Sequence, residues 1–285
     1  MGRQSRLKQE RRRAKAAFLN SLQVPPERLA GAFLDSASQR LCLVTKDVLT
    51  NQLRRDAPRI AASFDALCGD DLAFLSEFFS RTVGALMAGI AKHASDPLRM
   101  NLGMLLMNAC NSFLAAVHLL REGFLLQPGI LIRSLLEQVS TAIHLMFTPS
   151  DLKRLESGEF DSTRTIASAK RAIPMFGQMY GQFSKSFTHI SQLHVGLQPV
   201  TEFKERNPAV LGNLSNLGLA VFVLSIAAEL VFFDSTESPM FWRRLGAGQY
   251  SLELSPEATA FLEGMQRRTG EQIPPGSTAP TDTKS

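Results

Sequence analysis

The run Leu217–Phe233, LGLAVFVLSIAAELVFF, constrains this chain more than any other segment. Its seventeen residues carry a single charge, Glu229, and a helix built from them is apolar on every side. Such a helix is either buried inside a large core or spans a bilayer. Seventeen residues is the short limit for a span, and a carboxylate near its end is costly in lipid. The run therefore reads as a core helix, with membrane association through 217–233 as the alternative. Glu229 then either reaches the helix end or pairs with a buried cation, for which Arg133 and Arg121 are the candidates.

A core helix needs other helices around it, and the rest of the chain offers them. No segment sustains the alternation of a half-buried strand beyond a few residues, and 240–252, MFWRRLGAGQYSL, looks irregular. Nineteen Phe against two Tyr and one Trp, with abundant Leu, Ala and Met, suit helix-on-helix packing. Breaks fall at Val24-Pro25-Pro26, Gly69-Asp70-Asp71, Ser95-Asp96-Pro97, Gln127-Pro128-Gly129 and Thr148-Pro149, with a loop over 196–207. Helical patterns are expected from about residue 27 onward. The implied fold is all-α, a multi-helix bundle with long central antiparallel helices. One domain is expected over 25–268 with its core in 98–233, preceded by a basic arm, 1–24. The Pro-, Ser- and Thr-rich tail 269–285 reads as disordered.

The net charge of +5 is a terminal property. Arg3, Arg6, Lys8, Arg11, Arg12, Arg13 and Lys15 face the single acid Glu10, so residues 1–15 carry +6 and the other 270 carry −1. With no aromatic residue before Phe18, the arm suits attraction to the phosphates of RNA or DNA without base readout. The widely spaced Cys42, Cys68 and Cys110 form no CxxC pair, and no secretory signal opens the chain, so a cytoplasmic location is expected. HExxH, HxxxH and helical ExxH patterns are absent, and Gly246-Ala-Gly248 lacks a nucleotide fingerprint. Neither a metal nor a cofactor is expected.

Two polar lines interrupt the apolar pattern. Arg133, Glu137, Ser140 and His144 fall at helical spacing, and with Ser134, Gln138 and Thr141 they share an arc of about 160° opposite a leucine-rich face. That arc either faces water or is a buried row in which Arg133 and Glu137 pair at i,i+4. A second line, Tyr180, Ser184, Ser191 and His194, lies within about 80° on a helix expected over 174–195, with His189 on the opposite side. Closing one line over the other would gather an acid, a guanidinium and two imidazoles. Such a group suits acid–base work or phosphate binding.

The segments GILIRSLLEQVSTAIHL and SQLHVG resemble a group of uncharacterised bacterial all-helical proteins that are themselves likened to the HEPN superfamily. The resemblance spans about 98–233 and carries over Arg133, Glu137, Ser191 and His194. It implies a helical bundle able to form a homodimer, within a family that includes defence and toxin-type proteins. HEPN ribonucleases place a His soon after the Arg on the same helix, whereas ten residues separate Arg133 from His144 here. The reading that follows is a binding or interaction module with a polar inter-helical pocket formed by Arg133, Glu137, Tyr180, Ser191, His144 and Glu229. The alternative is a metal-independent HEPN-like ribonuclease. In that case Arg133 stabilises phosphate charge, Glu137 sits beside it, and His194 or His144 is the acid–base group.

Overall fold

The computed structural model describes residues 24–35, 40–160, 164–190, 192–196, 200–246 and 248–270. The seven cations of the arm, Ser191 and the tail beyond Gly270 lie outside the described residues. The chain divides into two units, Met1–Arg59 and Ile60–Ser285, where the sequence suggested one domain over 25–268.

In the first unit, β1 (Leu29–Asp35) and β2 (Arg40–Thr45) pair antiparallel, with Leu34 opposite Leu41 and Phe33 opposite Cys42. A short helix α1 (Val48–Asn51) runs into a π-helical turn, Gln52–Asp56, and Arg28 pairs with Asp47. The helical pattern expected from residue 27 is thus corrected to a hairpin. Its exposed residues occur on both faces, so the sequence shows no period of two to read.

Helix α2 (Ala57–Lys92) contains the boundary between the units in its first turn. The break expected at Gly69-Asp70-Asp71 does not occur, because Asp71 is buried and serves a different purpose. Its carboxylate accepts Arg206 Nη2 at 3.1–3.2 Å, with Arg268 Nη1 at 3.5 Å, and Arg206 also donates to the Arg268 carbonyl.

The second unit continues with α3 (Pro97–Arg121) and α4 (Gln127–Phe147), joined by a turn in which Gly123 has φ +90°. The short helices α5 (Leu152–Glu156), α6 (Thr165–Ala172), α7 (Phe176–Phe183) and α8 (Gln192–Val195) follow. Then come α9 (Pro208–Val231), a second hairpin β3 (Trp242–Gly246) and β4 (Gln249–Leu252), and α10 (Pro256–Thr269). The segment read as irregular is therefore a hairpin. The fold remains dominated by helices.

One signal starts three of the long elements: a polar residue followed by proline. The Asp96 side chain accepts from the Leu98 and Arg99 amides, Asn207 from Val210, and Ser255 from Ala258. Each cap satisfies a donor the helix leaves open, and each proline occupies a position needing no N–H. Helix α10 ends at Gly270 with φ +69°, the left-handed geometry that favours glycine.

Helix α9 is the core helix its composition demands. It packs against α3, α4 and α10, and almost every residue from Val210 to Val231 is buried. Phe222 stacks with Phe78 and Phe261 and meets Phe241 edge-on, with centroids 5.3–6.3 Å apart. Phe232 sits so close to α2 that a Cβ on Gly89 would lie 2.2 Å from its ring. Among the described residues, three helices, α3, α4 and α9, are long and apolar enough to cross a membrane. Of these, α9 is the one most completely wrapped by the protein itself.

Candidate functional site

Helix α4 decides the first polar line. Between Leu131 and Met146 it exposes no residue, because α3, α6, α7, α9 and the turn after α7 pack around it. The polar arc is therefore covered, and its solvent-facing alternative is set aside. A Cβ on Gly129 would fall 2.2 Å from the Phe187 ring, so glycine lets the turn Ser184–Thr188 lie against the start of α4.

Arg133, Glu137 and Tyr180 form one closed group. Arg133 Nη2 donates to the Tyr180 hydroxyl at 2.9 Å and lies 3.0 Å from Glu137 Oε1. The Tyr180 hydroxyl donates to that same Oε1 at 3.1 Å, and the guanidinium carbon stands 5.2 Å from the tyrosine ring centroid. The pairing at i,i+4 follows from helix geometry, and α7 supplies the phenol. Burial, and after it the Glu137 charge, push the Tyr180 phenol above its ordinary value. The Arg133 and Glu137 side chains keep 24% and 28% of their exposure, so the group opens to solvent at one side. Arg133 Nε is buried and finds no partner among the described residues.

His144 belongs to a different arrangement two turns away. Its Nε2 lies 2.9 Å from Asp151 Oδ2 and its Nδ1 lies 2.9 Å from Ser168 Oγ, with the Phe160 ring alongside. The His144 hydrogen bond is the main cause that holds the Asp151 carboxyl below its usual range. Ser168 is buried, so this Asp–His–Ser chain ties the turn Pro149–Asp151 and α6 to α4 rather than presenting a nucleophile. Between the two groups, Ser140 Oγ donates to the Glu137 carbonyl and meets Thr165 Oγ1 at 2.6 Å. The line thus divides into a half-open end at Arg133 and a closed, helix-joining end at His144.

The second line does not survive as a continuous face. Helix α7 ends at Phe183, a π-helical turn covers Ser184–Thr188, and His189 is extended before α8 begins. A π turn shifts the register of everything after it, so Tyr180 and His194 are no longer related by helical spacing. Among the described residues, the bonds that close the Arg133 group run among Arg133, Glu137 and Tyr180. His194 lies partly exposed on α8 with an interaction of its own.

Glu229 is also placed elsewhere. Its Oε2 accepts the Met240 amide at 2.7 Å, and its Oε1 accepts the amides of Phe241 and Trp242 at 2.9 and 2.8 Å. Trp242 Nε1 donates to the Ile226 carbonyl beside it. The expected cation partner is replaced by backbone, and Arg121 instead pairs with Asp65 at 2.5 Å. Burial raises the Glu229 carboxyl even though the three amides pull the other way. Its role is to fasten the start of β3 to α9, apart from the Arg133 group.

Sequence reasoning missed a further ionic cluster. Asp234 joins Arg99 Nη2 at 2.9 Å to Arg244 Nη2 at 2.8 Å, and His93 Nε2 lies within 3.2 Å of both Arg99 and Ser235. Arg244 also lies over the rings of Phe233 and Tyr250. Its members come from four segments, and no spacing in the sequence links them. Among the described residues, no group of His, Cys, Asp and Glu could hold a metal ion. Comparisons with family models, curated proteins and solved structures return no match.

Proposed function

We propose that the protein is a cytoplasmic nucleic-acid-binding module whose inter-helical pocket takes an unpaired base. The observation that carries this reading is the chemistry left over at Arg133 and Glu137. Among the described residues, both bonds to Glu137 fall on Oε1 and both bonds of Arg133 fall on Nη2, which leaves Glu137 Oε2 to accept and Arg133 Nη1 to donate, Nε being buried. A bare phosphate fits this pair poorly, because the Glu137 charge stands 3.0 Å from the guanidinium and cancels it. A neutral group with donor and acceptor side by side fits it well. All four bases carry a donor beside an acceptor on an edge, and single-stranded RNA displays those edges unpaired.

The basic arm extends the reading. Its seven cations supply sequence-independent attraction to a phosphate backbone, and the pocket adds selectivity that the arm lacks. A binding role is favoured over the ribonuclease that the HEPN-like resemblance suggests. Among the described residues, the Arg133 guanidinium is engaged by a carboxylate and a phenol, partners suited to holding a ligand rather than to moving a proton at neutral pH.

Titration of short oligo-G, oligo-C, oligo-A and oligo-U into the full chain across a salt series tests this. Oligonucleotide affinity that falls in Arg133→Met, together with a salt slope that falls when residues 1–15 are removed, is the expected result. Affinity unchanged by Arg133→Met would remove the pocket from the proposal. Cleaved RNA in these mixtures, abolished by His194→Ala, would turn the reading towards the enzyme.

A further inference from the structure

The hairpin of the first unit carries apolar side chains on both faces. Residues paired across an antiparallel ladder share a face, and neighbours along a strand alternate. Leu34 and Leu41 therefore lie on one face, while Phe33, paired with Cys42, and Val44, paired with Gly31, lie on the other. All four are exposed, Phe33 at 57% and Leu34 at 60%. Val48, Leu49 and Leu53 follow on α1 and the next turn, also exposed, with Leu49 at 72%.

These side chains belong to the most basic part of the protein. Residues 1–59 hold thirteen Lys and Arg against five Asp and Glu, a net +8, of which +6 lies in 1–15 and +2 in 24–59, leaving −3 for the rest of the chain. Arg40, Lys46, Arg54 and Arg55 stand directly among the exposed apolar residues.

Three occupants can be weighed against this surface. A second copy laid against the hairpin would cover one face, leave the other wet, and bring two units of +8 together. Nucleic acid would meet the charge but gain nothing from Leu and Val, and among the described residues of the unit Phe33 alone could stack on a base. An anionic bilayer meets both features. Its interface surrounds both faces of a hairpin with hydrocarbon, while lipid phosphates meet the Lys and Arg beside it.

We propose that residues 24–35 and 40–59 dock the protein on an anionic membrane surface, with Phe33, Leu34, Leu41, Leu49 and Leu53 entering the interface and the basic side chains pairing with lipid headgroups. This docking is independent of the Arg133 pocket, which lies in the second unit.

Vesicle co-sedimentation of the full chain tests it, with phosphatidylcholine alone and with phosphatidylserine added. Strong binding is expected only with phosphatidylserine, weakening as salt rises. Leu34→Ser with Leu41→Ser, and separately Leu49→Ser with Leu53→Ser, should each weaken it about tenfold or more. These residues are exposed, so the thermal transition of both variants should match that of the parent. Absence of binding to either vesicle overturns the proposal. So does phosphatidylserine binding that both double variants retain in full, because the charge would then act alone. Single-stranded RNA affinity should be unchanged in the two variants, and its loss there would make the surface a nucleic-acid contact. Arg133→Met should keep vesicle binding, so failure of the pocket and failure of the docking surface are read separately.

Discussion

Glu137 and Glu229 lie on adjoining apolar helices, and their surroundings differ in kind. Glu229 is buried, and both its oxygens are taken by backbone amides of one hairpin. Glu137 is partly exposed, shares a single oxygen between Arg133 and Tyr180, and keeps the other. A carboxylate whose acceptors are all taken by backbone fastens the fold. A carboxylate that keeps acceptor capacity among the described residues, beside a cation, is where the proposed binding is placed. The same residue type in the same kind of helix thus serves two ends, and the partners decide which.

The largest test of this contrast is Glu229→Ala. It would strand three amides in a buried site, and a loss of about 3–5 kcal/mol in urea unfolding is expected. A loss below about 1 kcal/mol would erase the distinction. Glu229→Gln keeps an acceptor and should lose less.

Gly129→Ala comes next. The added methyl meets the Phe187 ring at its root, where no flexible end can move aside. A loss of about 1–3 kcal/mol is expected, with weakened oligonucleotide binding as the turn lifts from α4. Arg133→Met should lose only about 1 kcal/mol of stability, since the pair is partly exposed. Its oligonucleotide affinity should nevertheless fall roughly tenfold. Tyr180→Phe removes one hydroxyl that bonds both partners and should lose less than about 1 kcal/mol.

The smallest effects concern pH, and they run in opposite directions. The Glu229 carboxyl is raised in the fold above its ordinary 4.5. Its stabilising share is therefore full below 4.5 and is lost as pH rises through the folded value. The Asp151 carboxyl is lowered below its ordinary 3.8. Its share is full above 3.8 and is lost as pH falls through the folded value. Urea unfolding across pH should show the first slope disappear in Glu229→Gln and the second shrink in His144→Gln.

Much of the architecture was legible because its signals are local. The caps at Asp96 and Ser255, the all-round apolar run of α9 and the i,i+4 pairing of Arg133 with Glu137 each need only a few adjacent residues. What escaped depends on non-local partners. Tyr180 reaches Glu137 from another helix, and Asp234 gathers Arg99 and Arg244 from two further segments. The second polar line failed for a local reason of another sort. One π turn at Ser184–Thr188 is invisible to a wheel drawn at a constant 3.6 residues per turn, yet it breaks the alignment of Tyr180 with His194. The two hairpins escaped because neither strand pair hides one clean face.

Asp71 carries a consequence for the order in which the molecule is made. Its carboxylate is neutralised by Arg206 and Arg268, which follow it by 135 and 197 residues. During synthesis α2 leaves the ribosome long before either guanidinium exists. The position of Asp71 therefore gains its nearer cation only when Arg206 emerges and its second only with α10, so the burial of this acid depends on residues made long after it.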